Sequence, residues 1–170
     1  MANDKDDPQK LLKLGAVAVV GGIAAVLLAV NLLGSDRGPS DQKWMLDLET
    51  QIVHARPVDT RSPAAEGGAG VRSYPQIGEG SSLVDVTLLT CGDPGDITNG
   101  MSVDELAGVE ARVGWVSIRK EGDATGGSEL VSDATGANWG PKMSPENIQM
   151  MEAAAGGCPD GSAVGVVAGP

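Results

Sequence analysis

The chain opens with a short polar segment, Met1 to Lys13, and then loses charge altogether. From Leu14 to Gly34 (LGAVAVVGGIAAVLLAVNLLG) 21 consecutive residues are uncharged. A helix of that length would reach about 31 Å, which matches a hydrocarbon core of about 30 Å. The pattern predicts a transmembrane helix. It exceeds the apolar region of a signal peptide, about 7–15 residues. Val30 to Gly34 offers no small-x-small cleavage site, so the expectation is an uncleaved anchor. Within the span Gly15, Ala18, Gly22, Ala25 and Ala29 recur three or four residues apart. A stripe of small residues lets helix backbones approach closely in lipid, and Asn31 adds a polar group able to bond to a neighbour. These six residues are the expected helix-packing face.

Beyond the span the pattern shortens. Gly34 to Pro39 breaks the helix, and Ser40 with Asp41 offers a new cap. Trp44, Met45, Leu48 and Ile52 then follow helical spacing, so residues 35–56 read as a break and an amphipathic helix that stops before Pro57. Trp44 could sit at a membrane interface. Residues 57–82 are rich in Gly, Pro, Ser and Ala and read as a long loop, anchored at Tyr74-Pro75 and Ile77. Leu83 to Thr90 alternates and is β-branched, which predicts a strand. Ser102-Val-Asp-Glu105 is a capping box opening a short helix that Gly108 stops. Val109 to Arg119 reads as a strand on period two. The tetrapeptide Asp-Ala-Thr-Gly appears at 123–126 and 133–136, turn chemistry on either side of a short strand at 128–131. Ser144-Pro145-Glu146 starts a helix running to about Ala155, and 163–168 is a last apolar strand.

The fold class expected from these elements is a single transmembrane α-helix plus a small α+β extramembrane domain. That domain, residues 83–170, would hold a short antiparallel meander and much irregular Gly-rich structure. Composition changes this picture in one respect: residues 35–170 hold 25 Leu, Ile and Val, and the chain has no Phe. So few large side chains make a thin core that depends on staples or a partner. Cys91 and Cys158 supply one staple if the domain sits in an oxidising compartment, closing a 67-residue loop.

The net charge is −11. The first 39 residues carry as many Lys and Arg as Asp and Glu, so all of that charge belongs to residues 40–170. Acidity of this degree argues against nucleic acid and suits solubility or a basic partner. Lys5, Lys10 and Lys13 precede the span while Arg37 and Lys43 follow it, which orients the N-terminus toward the cytoplasm. The expected location is therefore a bacterial inner membrane with the C-terminal domain periplasmic or extracellular.

Catalytic motifs are missing. The sequence has no dinucleotide fingerprint after a strand, no P-loop, no HExxH, no CxxC and no GxSxG. His54 is the single histidine. Asp93, Asp96, Asp104 and Glu105 crowd one loop without EF-hand spacing. The expectation is no enzyme, no cofactor and no metal, but an accessory subunit of a larger membrane complex. Its partners would be other membrane subunits through the span, lipid, and a basic soluble protein. A viral or phage membrane protein is an alternative. So is a pilin-like filament subunit: the order of apolar helix, loop, sheet and C-terminal cysteine is similar to that of type IV pilins. The span lacks their Gly cleavage site and following Glu, so no pilin residue carries over.

Overall fold

The computed structural model describes residues 40–119 and 129–170. Ser40–Pro170 forms a compact unit of its own. Residues 14–34, with Gly15, Ala18, Gly22, Ala25, Ala29 and Asn31, lie outside the described residues. Among those described, no helix is long and apolar enough to cross a membrane. The structure overturns the expected fold class. The described residues are mainly antiparallel β-sheet with two short α-helices, in place of the expected small α+β domain, and none of their helices can cross a membrane.

In chain order the strands are β1 (Gln42–Asp47), β2 (Ile52–Pro57), β3 (Val71–Tyr74), β4 (Gly78–Ser81), β5 (Leu83–Thr90), β6 (Ala111–Arg119), β7 (Glu129–Ser132), β8 (Gly140–Pro141) and β9 (Gly165–Val166). The helices are α1 (Val103–Gly108) and α2 (Pro145–Ala154). The main sheet runs β2-β1-β5-β6-β7-β8, and β9 joins the far half of β5 beside β1. Every pairing is antiparallel. β3 and β4 form a separate hairpin.

The expected amphipathic helix at 40–56 is instead the β1–β2 hairpin, with Met45 opposite His54. Trp44, Met45 and Leu48 are buried and Ile52 is half-buried. The run Trp44-Met-Leu-Asp-Leu48 suits a strand because a pleated chain sends neighbours to opposite faces, and here both faces are covered. Trp44, Leu46 and Leu48 enter the main core, whereas Met45 packs in a second cluster with Ala64 and Leu83. The hairpin turns through Gln51 at φ +56°, without the Gly or Asn that would have signalled a turn.

The main core gathers Val53, Val84, Leu88, Val116, Ile118 and Leu130 from the sheet. Leu106 of α1, Ile97 and Tyr74 of β3 close over it. The capping box forms as written: Ser102 Oγ accepts from Glu105 N–H and Glu105 Oε2 accepts from Ser102 N–H at 2.7 Å. The β2 and β8 edges of the main sheet are guarded. Residues 99–103 pair with the outer edge of β2, where Ala55 N–H meets Asn99 Oδ1 at 2.8 Å, and β8 ends in Pro141. An edge so covered resists pairing with other chains.

The 57–82 segment carries a device of its own. The Ser62 hydroxyl accepts from Asp85 N–H at 2.8 Å and donates to Ser117 C=O at 2.8 Å, bridging β5 and β6. Arg119 N–H donates to Ser62 C=O, and Ala64 N–H to Leu83 C=O. Ser62–Ala64 is thus a wedge at one end of the sheet. At the other end Cys91, after β5, is disulfide-bonded to Cys158, after α2. The Arg112 guanidinium donates to Ala154 C=O and Gly156 C=O, satisfying carbonyls left open at the end of α2.

Candidate ligand-binding groove

β3 places Arg72 and Tyr74 on one side of an open groove of about 710 Å³, and the β7–α2 connection supplies the rest. Strand alternation buries Tyr74 and leaves Ser73 exposed. The Tyr74 hydroxyl donates to Ser81 C=O at 2.6 Å, across the hairpin. Burial raises the pKa of this hydroxyl to about 12; Arg72 opposes the shift, and Asp47 and Glu49 add to it. It therefore stays protonated and fixed as a donor.

Trp139 lies edge-on to Tyr74, with ring centroids 5.5 Å apart and planes at 78°. This T-shaped arrangement is the favoured geometry for two aromatic quadrupoles. Trp139 itself remains half-exposed. The chain has three Trp, one Tyr and no Phe, and the Tyr meets one of the Trp here.

The turn at Asp133–Gly136 holds the groove's second wall. Asp133 Oδ1 accepts from Thr135 N–H, and Arg72 Nη1 donates to Thr135 C=O at 3.1 Å. Gly136 has φ +64°, and a Cβ there would stand 2.6 Å from Leu48 Cδ1, so glycine is needed twice over. Ser144 caps α2 by accepting from Asn147 N–H, while Asn147 Nδ2 donates to Pro141 C=O. Glu146, in the first turn of α2, and Asn138 are exposed at the rim. The lining contains no His, Cys, Lys or Asp. Its chemistry is an aromatic face, a guanidinium already engaged by Glu49 at 3.4 Å, an open carboxylate and an amide. These groups can hold a ligand by stacking and hydrogen bonding.

Of the residues singled out from the sequence, Cys91 and Cys158 are brought together as a disulfide. Trp44, Met45 and Leu48 serve the two hydrophobic clusters, with no open face. His54 is half-buried on β2, and its pKa is lowered by burial and by Arg56, against the pull of Asp47. It is neutral at pH 7. Among the described residues no three His, Cys, Asp or Glu side chains are grouped to hold a metal ion. Tyr74 and Trp139 lie far apart in the sequence, so no local spacing marks the groove, and Tyr74-Pro75 on its own reads only as a loop anchor.

Comparison with known protein families, with curated proteins and with solved structures returned no match.

Proposed function

We propose that this chain is a non-catalytic accessory protein of an oxidising compartment that engages a basic protein partner through the Trp139 groove. The observation that carries the reading is the half-exposed Trp139 ring, fixed against Tyr74 in a groove that offers binding groups. A rigid aromatic anchor of this kind is what binding hot spots are built on. The basic character of the partner follows from charge complementarity: the net charge is −11, and opposite charge steers association. The oxidising compartment follows from the Cys91–Cys158 disulfide.

The test is a fluorescence titration of the full chain with two series of unstructured peptides, equal in length and differing in charge. Basic peptides should bind and acidic ones should not. Trp139→Ala should weaken binding by at least about tenfold, the loss of an interface hot spot. Equal binding of both series, or undiminished binding by Trp139→Ala, would overturn the proposal.

A further inference from the structure

Strand β5 is tied to the rest of the chain at both ends. At its C-terminal end Cys91 follows it into the disulfide. Near its N-terminal end Asp85 meets Lys43 of the neighbouring strand. Met45 pairs directly with Asp85, so Lys43, two residues before Met45, is the diagonal neighbour on the same face. The Lys43 Nζ lies 2.6 Å from Asp85 Oδ1. That oxygen is shut off from solvent; the lysine nitrogen approaches it outside ideal hydrogen-bond angles, yet closely enough to lower the Asp85 pKa as a hydrogen bond does. Met45 and Leu83, both fully buried, flank the pair on this face.

The two side chains remain 23% and 32% exposed, so the charges are partly rather than wholly desolvated. Desolvating two charges is offset only when good geometry and further hydrogen bonds satisfy both partners. Burial raises the pKa of Asp85 and favours its neutral carboxyl; Lys43 and Arg119 oppose this, and the negative charge of Glu129 reinforces it. Glu129 is itself held at 3.0 Å by Lys142. A neutral carboxyl is an electrophile, and the group packed against it is a primary amine.

The geometry points to Lys43 and Asp85 as the two halves of an intramolecular isopeptide bond, a covalent tie between β1 and β5 made by the chain itself. The Lys43 ammonium passes a proton to the Asp85 carboxylate. The resulting amine attacks the carboxyl carbon, a C–N bond forms, the C–O bond breaks, and the hydroxyl leaves as water. Nothing is oxidised or reduced and no co-reactant is consumed. Amide formation from a free acid and amine is unfavourable in dilute solution. Groups that a fold holds in near-attack orientation reach effective concentrations on the order of 10⁵ M, which offsets that cost. With the disulfide, the bond would leave β5 locked at both ends, in a chain with no Phe to enlarge its core.

Mass spectrometry of the full chain, reduced and denatured, tests this directly. The wild-type mass should fall below the sequence mass by one water, after opening the disulfide. Trypsin should release residues 38–61 joined to residues 73–112, because Lys43 is blocked and Arg56 precedes proline. Lys43→Arg keeps the charge but cannot close the amide, and Asp85→Ala removes the carboxyl; both should return the full sequence mass. Wild-type protein that is folded by circular dichroism, carries the full sequence mass and yields residues 38–43, 44–61 and 73–112 as separate peptides would show an ion pair only and overturn the assignment. The wild-type measurement decides the matter even if neither variant folds.

Discussion

Asp47 is nearly sequestered from solvent, yet its carboxylate is held below the usual range. Burial alone would raise its pKa, but the Ser82 hydroxyl and the backbone N–H groups of Glu49, Ala69 and Thr50 outweigh it. The 2.7 Å bond from Ala69 N–H ties the β1–β2 turn to the long loop before β3, and the 2.9 Å bond from Glu49 N–H closes the turn itself. Asp47→Ala would leave buried donors unpaired and should cost about 1–3 kcal/mol in chemical denaturation. The pH dependence has a definite sign. Because the folded pKa lies below the unfolded one, the stabilisation is complete at neutral pH and is lost as pH falls from about 4 through the folded value. Asp47→Asn should flatten the stability profile in that acidic window, which a pH series of thermal melts would read. Gly136 makes a second residue-scale case. Gly136→Ala would meet both the positive φ and the Leu48 side chain, so a drop of more than about 1 kcal/mol is expected.

At the scale of elements, the helices were legible because their ends are local chemistry. Ser102 and Glu105 mark the start of α1, and Ser144 with Pro145 that of α2, each within a few residues. Leu83–Thr90 was legible for a similar reason, since its alternation stands alone between turn-rich segments. The β1–β2 hairpin was not. Trp44, Met45, Leu48 and Ile52 satisfy helical spacing, but tertiary contacts on both faces of β1 decide in favour of strand, and Gln51 hides the turn. The β3–β4 hairpin lay hidden in a Gly-rich stretch whose order depends on contacts such as Tyr74 with Ser81 and Trp139. The two sides of the groove come from distant parts of the chain, so no spacing rule reaches it. The capping box allows a quantitative check. Ser102→Ala should cost about 1 kcal/mol, and Leu106→Ala, which empties the fully buried position that α1 delivers, about 2–5 kcal/mol.

The whole unit is a guarded antiparallel sheet that carries large negative charge around a modest core. The disulfide spans 67 residues and constrains the unfolded chain by about 4 kcal/mol in the loop-entropy account. Mild reduction should lower the unfolding free energy by about that amount and speed hydrogen exchange at the β5–β9 pairing, where Val167 N–H bonds Leu88 C=O. In the proposed function the Trp139 groove is the surface that holds the partner. Hydrogen-exchange footprinting of the full chain with a bound basic peptide tests that assignment most directly. The account predicts slowed exchange at residues 72–75 and 136–147, absent in Trp139→Ala, and unchanged exchange along β2. Protection confined to β2 or to the acidic loop at 93–105, with the groove unaffected, would contradict it.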